Sequence, residues 1–157
     1  MTAPIDWPSL ERSAIAVRRS AHAPYSGYQV GAALLTESGR VFAGCNVENA
    51  SYGLCICAER SAVAQMVAAG ESRPVAIVVA TRGPKAGTPC GSCRQTLAEF
   101  ALDLEIRLVV EGMPAATRTT RLATLLPDAF RADSLAVEPA PAAPVSSAPT
   151  RKRTKRR

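Results

Sequence analysis

Residues 75–110 read VAIVVATRGPKAGTPCGSCRQTLAEFALDLEIRLVV, and this stretch decides the fold class. The run at 75–80 is rich in valine and isoleucine, which is typical of a central strand buried on both faces. Pro89 suits the first position of a helix, so we expect a helix over 90–101 and a further strand over 105–110. Strands that alternate with helices are joined by parallel crossover connections, so the stretch predicts an α/β protein.

The segments outside this stretch predict a hairpin and three more helices. Apolar residues recur at helical spacing over 7–22. Residues 30–35 and 41–47 are predicted to be strands on either side of a polar turn, which makes the sheet mixed. Helix formers over 58–69 stop at a glycine, and 122–126 predict a short helix before a proline.

The composition fits one domain followed by a tail. The 157 residues are 47% hydrophobic and 20% charged, as in ordinary globular proteins. Residues 139–157 hold six of the 19 Lys and Arg residues and no acidic residue, which leaves 13 basic and 13 acidic residues elsewhere. We therefore expect a neutral folded domain over 1–137 and a disordered tail over 138–157 that is rich in proline and alanine and ends in a basic block.

Targeting and partners are constrained by the same features. The N-terminal residues lack the basic and apolar regions of a signal peptide, and the longest apolar run, 75–80, is too short to cross a bilayer. We expect a cytoplasmic protein without membrane contact. The neutral domain has no evident basic groove for nucleic acid. The tail is interpreted as a solvated extension, and an electrostatic tether to nucleic acid is the alternative.

The cysteines indicate metal binding. There are five of them: Cys45, Cys55, Cys57, Cys90 and Cys93. A reducing cytoplasm keeps thiols reduced, so metal binding or thiol chemistry is favoured over a disulfide framework. Cys90 and Cys93 have the two-residue gap common in zinc sites. Cys57 and Cys90 both lie at predicted helix starts, where the helix dipole favours the thiolate that binds zinc.

Three cysteines would leave one position of a tetrahedral zinc open for water, as a hydrolytic site requires. Glu59 lies two residues after Cys57 and can sit beside the metal without binding it, as a proton carrier. Three thiolates and one dication sum to a charge of −1, so we expect Arg60 to donate to a thiolate. The alternative is a structural zinc, with another cysteine or the single histidine as fourth ligand.

The segments CAER (57–60) and PCGSCRQ (89–95) resemble the motifs of the cytidine deaminases, which are zinc enzymes. The similarity covers about residues 9–130. It includes PYS (24–26), VGAAL (30–34), GCNVENA (44–50) and LLPDAF (125–130). The resemblance implies an α/β three-layer sandwich with a mixed sheet of about five strands flanked by helices, and a homotetramer.

The resemblance also implies the chemistry. Cys57, Cys90 and Cys93 would bind one zinc ion per subunit, and Glu59 would pass a proton to N3 of cytosine and then to the leaving ammonia. The implied reaction is hydrolytic deamination of cytidine and deoxycytidine to uridine and deoxyuridine, by attack of zinc-activated hydroxide at C4. The implied pathway is pyrimidine salvage.

The substrate-binding residues that the resemblance implies are Tyr28, Asn46, Glu48 and Ala58. Tyr28 stands where the family often has phenylalanine against the pyrimidine ring. Asn46 and Glu48 would bond to the ribose 3′-hydroxyl, and strand-like alternation points both to the same face. Tyr52 and Phe130 would reach into the sites of neighbouring subunits.

Two alternatives remain open. A deaminase of blasticidin S or of another modified-cytosine nucleoside would share the zinc motifs, but such relatives depart where this chain has Asn46 and Glu48. A structural zinc module that binds nucleic acid through the basic tail comes from a different class. It would have no use for Glu59 or for the ribose-binding pair.

Overall fold

The computed structural model of the chain describes residues 4–135. Its helices and strands, in chain order, are α1 (Trp7–Arg18), β1 (Gly31–Thr36), β2 (Val41–Cys45), α2 (Ala58–Ala68), β3 (Pro74–Thr81), α3 (Gly91–Ala98), β4 (Glu105–Val110), β5 (Arg118–Arg121) and α4 (Leu122–Leu125). Single 3₁₀ turns occur at Tyr52–Leu54, Pro114–Ala116 and Ala132–Leu135. The predicted domain boundary at residue 137 and the predicted disordered tail lie outside the described residues.

The five strands form one mixed sheet in the order β2-β1-β3-β4-β5. β1 is antiparallel to both β2 and β3, β3 is parallel to β4, and β5 is antiparallel to β4. It follows that β2, β3 and β4 run in the same direction and that their carboxyl ends share one edge of the sheet. Because α2 follows β2 and α3 follows β3, both helices begin at that edge, where open α/β sheets bind ligands.

Helices cover both faces of the sheet, which confirms the predicted three-layer sandwich. α1 packs on one face through Leu10 and Ala14, and the sheet residues Ala33, Ala76, Val78, Ala80 and Val109 share that core. α2, α3 and α4 cover the opposite face. The larger core there includes Leu34, Met66, Ile77, Leu97, Ile106, Leu108 and Leu122, all fully buried. Alternation along β1 and β3 sends successive side chains to the two cores.

Sequence pattern locates four of the five strands. The fifth, β5, reads RTTR over 118–121 and lies at the edge of the sheet, paired only with β4. Its side chains are mostly exposed, so it has no apolar alternation to reveal it. Charged residues on an edge strand are a common protection against pairing with another chain.

Three predicted elements end two or more residues earlier than expected. The helices predicted over 7–22 and 90–101 end at Arg18 and Ala98. The strand predicted over 41–47 is two residues shorter, because Val47 leaves the ladder and pairs with Ile56, with backbone N–H···O distances of 2.9 Å in both directions. This bridge holds the loop before α2 close to the end of β2.

Two glycines allow helices to lie directly against strands. A Cβ atom at Gly44 would lie 2.7 Å from the carbonyl oxygen of Ala58 and 2.7 Å from the Cβ of Ser61. A Cβ at Gly31 would clash with the backbone of α1. No side chain fits at either position without displacing a helix. The first turn of α2 is therefore seated on β2 by backbone contact, which fixes where that helix begins.

Candidate active site

Cys57 and Cys90 are the N-cap residues of α2 and α3. Both have extended backbone angles, with φ −75° and ψ 155° at Cys57 and φ −68° and ψ 170° at Cys90, and neither side chain caps its own helix. The helix predicted over 90–101 is therefore α3, and Cys93 is its third residue. Because both helices begin at one edge of the sheet, three thiols meet at two helix ends that carry partial positive charge.

The three thiols have the spacing of a tetrahedral metal site. The sulfur atoms of Cys57 and Cys90 are 3.9 Å apart, and all three sulfurs lie within 4.8 Å of one another. Zinc–thiolate bonds of about 2.3 Å at tetrahedral angles separate the sulfurs by about 3.8 Å, so the set fits zinc. Within residues 4–135 no other His, Cys, Asp or Glu joins this cluster. The geometry favours a site with three protein ligands over the structural alternative with four.

The charges of the thiols follow from their mutual hydrogen bonds. A hydrogen bond from the Cys93 thiol lowers the pKa of Cys57 to about 5, with further lowering by Cys90 and by the charge of Arg60, against the effect of burial. The same interaction with Cys57, together with burial, raises the pKa of Cys93. The pair therefore favours one thiolate and one thiol. Zinc binds thiolates, so metal loading would expel the remaining proton.

Arg60 provides positive charge beside the sulfurs, and its donation to a thiolate stays a prediction. Its guanidinium lowers the pKa of Cys57, and its Nη2 donates to the backbone oxygen of Cys55 over 2.7 Å. Its Nε is buried and has no hydrogen-bond partner among the described residues. A buried donor next to a thiolate suits a metal site whose ligands carry excess negative charge.

Glu59 is the second residue of α2, and only 4% of its surface is exposed. Burial raises the pKa of its carboxyl, and the charge of Cys57 raises it further, while a hydrogen bond from its own backbone N–H lowers it. Its oxygens are not part of the sulfur cluster. The carboxyl group therefore lies beside the metal ligands and remains available to hold or release a proton.

These groups open onto a cavity of about 220 Å³. Its walls are formed by Tyr28, Val30, Asn46, Cys57, Ala58, Glu59, Val79, Thr81, Gly87, Thr88 and Cys90. Pockets for drug-sized ligands usually occupy roughly 300–1,000 Å³, so this cavity suits a single small ring. It brings together two of the three thiols, Glu59 and three of the four residues expected to bind substrate.

Sequence reasoning missed Val30, Val79, Thr81, Gly87 and Thr88 in this wall. Thr81 is the last residue of β3, and its hydroxyl oxygen accepts from the backbone N–H of Gly87 over 3.4 Å. A Cβ at Gly87 would lie 2.8 Å from the phenol oxygen of Tyr28, so the glycine makes room for that ring. The rule that sites lie at the carboxyl ends of parallel strands could have indicated Thr81 and the loop after it.

Asn46 lines the cavity with both ends of its amide bonded to backbone. Its Oδ1 accepts from the N–H of Val30 over 2.8 Å, and its Nδ2 donates to the carbonyl oxygen of Tyr28 over 2.9 Å. These two bonds fix the segment that carries Tyr28 into β1. Asn46 therefore shapes the wall against which a ring would pack.

Glu48 does not line this cavity but a second cleft, of about 270 Å³, with Tyr25, Ser26, Tyr52 and Cys55. Its carboxylate accepts from the backbone N–H groups of Tyr25 (2.9 Å) and Ser26 (3.2 Å) and from the Ser26 hydroxyl. The Ser26 hydroxyl is the main cause of the lowered pKa of Glu48. Glu48 is turned towards the backbone of the preceding turn, whereas Asn46 lines the cavity, and the contact of both residues with one ribose stays a prediction.

Tyr52 and Phe130 lie on the surface, 76% and 59% exposed. The Tyr52 ring meets Tyr25 edge to face, with centroids 6.2 Å apart. The backbone of Phe130 is held at both polar atoms by Gln95, whose Nε2 donates over 2.6 Å and whose Oε1 accepts over 3.3 Å. Neither aromatic lines the cavity of its own chain, so a role at a site would require another subunit.

A larger cleft, of about 330 Å³, lies at the opposite edge of the sheet. It is bounded by the start of α1, including Asp6 and Ser9, and by the turn between β1 and β2. No cysteine lines it. Cys57, Cys90 and Glu59 line the smaller cavity, which is therefore the candidate active site.

Comparisons of the sequence with known proteins point to one family. The family model for the cytidine and deoxycytidylate deaminase zinc-binding region matches residues 8–110. The cytidine deaminase of Halalkalibacterium halodurans is 39% identical over 131 residues, which are 83% of this chain and 98% of that protein. The cytidine deaminase of Mycobacterium tuberculosis is 40% identical over 131 residues, 83% of this chain and 94% of that protein.

A solved structure supports the same family. The crystal structure of cytidine deaminase from Burkholderia pseudomallei matches with a TM-score of 0.75 at 46% identity and covers 80% of this chain and 100% of that chain. The shared fold, the identity over most of the chain and the cysteine cluster lead to one assignment. The chain belongs to the cytidine deaminase family, a family of zinc-dependent hydrolases.

Proposed function

We propose that this chain hydrolyses cytidine and deoxycytidine to uridine and deoxyuridine, with release of ammonia. The observation that carries the proposal is the buried Glu59 beside a three-thiol zinc site on the wall of a cavity sized for one ring. Identity of about 40% to proteins named cytidine deaminase, over most of the chain, supports it.

The proposed mechanism assigns one proton carrier. Cys57, Cys90 and Cys93 would hold the zinc ion, which would act as a Lewis acid and lower the pKa of a water molecule to about 7. Glu59 takes a proton from the attacking water and gives it to N3 as the oxygen bonds to C4. The proton of the new hydroxyl then passes through the same carboxylate to the amino group, the C4–N bond breaks, and ammonia leaves. Burial of Glu59 keeps bulk solvent away from these transfers.

The proposed substrate contacts distinguish a nucleoside from a nucleotide. The Tyr28 ring and Ala58 would pack against the pyrimidine, and Asn46 and Glu48 would bond to the ribose 3′-hydroxyl. Within the described residues, no Lys or Arg lines the cavity or the cleft at Glu48, so neither offers a cation for a 5′-phosphate. The absence of such a cation argues against a polynucleotide substrate, and the pair Asn46 and Glu48 argues against blasticidin S.

The substrate proposal is tested by incubating the zinc-loaded protein with cytidine, deoxycytidine, CMP and blasticidin S and following the ultraviolet change on loss of the amino group. We expect turnover of both nucleosides. We expect kcat/KM for CMP to be lower by roughly 100-fold, because a phosphate near the Glu48 carboxylate meets like charge without a compensating cation. Faster turnover of blasticidin S than of cytidine would favour the alternative substrate, and turnover of none would contradict deamination.

The role of Glu59 is tested by Glu59→Gln, which keeps the shape of the side chain and removes its proton transfer. We expect kcat for cytidine to fall by about 10²- to 10⁴-fold, since general acid–base catalysis contributes that much. Zinc content, measured by atomic absorption, should stay at one ion per chain because Glu59 is not a ligand. Glu99→Gln, on an exposed residue after α3, is the matched control and should retain full activity. A Glu59→Gln variant with near-normal kcat would support a structural zinc instead.

We further propose that the protein works as a homotetramer in which Tyr52 and Phe130 complete the sites of neighbouring subunits. Two aromatic rings that are mostly exposed and anchored by defined contacts support this, since large exposed aromatics commonly mark interfaces. Other exposed apolar side chains lie near Tyr52 in the sequence, at Val47, Leu54 and Ile56.

Contribution across subunits is tested by mixing two defective variants. Phe130→Ala should lower kcat/KM by about tenfold, the effect of losing one aromatic contact of about 1–1.5 kcal/mol. When Phe130→Ala subunits are dissociated and reassembled together with Glu59→Gln subunits, activity should be restored. In such a mixed assembly a Glu59→Gln subunit can place its Phe130 at the site of a neighbour whose Glu59 is intact. The double variant Glu59→Gln/Phe130→Ala assembles but cannot lend the ring, so it serves as control. Equal activity with both partners would rule out the shared site.

The proposed location is the cytoplasm, and the proposed role is pyrimidine salvage. Cys57, Cys90 and Cys93 must remain reduced to bind zinc, which the cytoplasm ensures. No helix within residues 4–135 combines the length and apolar character needed to cross a bilayer.

A further inference from the structure

Arg94 follows the metal ligand Cys93 directly on α3, and its guanidinium makes three hydrogen bonds with different partners. Nε donates to the carbonyl oxygen of Pro89 over 2.8 Å, and Nη2 donates to the hydroxyl of Thr88 over 3.2 Å. Nη1 donates to the carbonyl oxygen of Leu125 over 2.9 Å. The fork of one side chain therefore ties together three separate places in the chain.

Two of these places lie immediately before the ligand Cys90. The backbone N–H of Arg94 also donates to the carbonyl oxygen of Cys90 over 2.9 Å, as part of the first turn of α3. The backbone and the side chain of Arg94 thus hold residues 88–90 against α3. This arrangement fixes Cys90, which is the exposed thiol of the cluster, relative to Cys93, which is fully buried.

The third place, Leu125, lies in α4, beyond residues 8–110 that the family model covers. Its carbonyl is one of the last in that helix, where backbone oxygens lack helical partners and a guanidinium can satisfy them. Through Arg94, α4 therefore braces the turn that carries Cys90, although α4 itself contributes no residue to the cysteine cluster.

The charge of Arg94 is not neutralised locally. Among residues 4–135, no carboxylate lies within ion-pair distance of its guanidinium, and its three hydrogen-bond acceptors are neutral oxygens. A positive charge left beside the turn at Cys90 offsets part of the negative charge of three thiolates.

We propose that Arg94 is a positioning residue of the zinc site: its guanidinium locks residues 88–90 between α3 and α4 and so holds the Cys90 thiol at zinc-binding distance. The planar fork is required for this, because three acceptors in three directions cannot be met by the compact ammonium group of lysine in the same way. Lysine keeps the charge and loses the geometry, which separates the two contributions of Arg94.

The test measures zinc affinity directly, without turnover, by competition with a chromophoric chelator. Arg94→Lys should raise the zinc dissociation constant by about 10- to 100-fold, the range typical for residues that orient metal ligands. The cobalt-substituted variant should also show shifted d–d absorption bands, because the geometry of the three sulfurs changes. A purely structural role elsewhere in the fold would leave these bands in place.

Gln95→Ala is the matched control for this measurement. Gln95 is the next residue of α3 and also ties the segment after α4 to that helix, through Phe130, but among the described residues its side chain makes no hydrogen bond to residues 88–90. The zinc affinity of the Gln95→Ala variant should stay within twofold of that of the unsubstituted protein. Equal weakening in both variants would overturn the proposal, because it would reflect general loosening of the C-terminal segment, and so would unchanged affinity in Arg94→Lys.

Thr88→Val keeps the proposal testable if Arg94→Lys does not fold. It removes one acceptor of the guanidinium and leaves the other two in place, so zinc should bind several-fold more weakly than in the parent. Parent-like affinity in Thr88→Val, with Arg94→Lys unfolded, would overturn the proposal. Because the measurement uses metal binding alone, its outcome does not depend on whether cytidine is the substrate.

Discussion

The site depends on two helices that begin at the same edge of the sheet, and the strand order is the reason. β1 lies between β2 and β3 and is antiparallel to both, so β2 and β3 run in the same direction. α2 and α3 leave their carboxyl ends together, and thiols 33 residues apart in the sequence come within 3.9 Å. The positive ends of both helices favour thiolates, so topology supplies the ligand positions and part of the electrostatics.

Backbone contacts and arginine side chains stabilise this arrangement, in which several groups that can carry negative charge lie close together. Gly44 lets the first turn of α2 touch β2, so Cys57 and Glu59 have little freedom to move away. Three thiols and a buried carboxyl group concentrate potential negative charge, which is costly to bury unless it is compensated. Arg60 meets this need beside Cys57, and on our proposal Arg94 fixes the position of Cys90. The cavity can then stay small and largely closed to solvent around Glu59.

Residue spacing was enough to predict that Cys57, Cys90 and Cys93 lie together, because a Cys-x-x-Cys pair and a cysteine before a second helix are local patterns. The buried strands were equally predictable from their apolar runs. β5 was not, since a polar edge strand carries no apolar alternation. The orientation of Glu48 depends on backbone N–H groups of the turn at Tyr25 and Ser26, which side-chain patterns do not encode. The acceptors of Arg94 are mainly backbone oxygens, one of them 31 residues away, so its contacts could only be found in the fold.

The central claim is that three cysteine sulfurs and no fourth protein atom hold the metal. X-ray absorption spectroscopy at the zinc edge of the loaded protein tests it most directly. The account predicts three sulfur neighbours at about 2.3 Å and one oxygen neighbour at about 2.0–2.1 Å, contributed by an exchangeable water. A shell of four sulfurs, or of three sulfurs and an imidazole nitrogen, would contradict it.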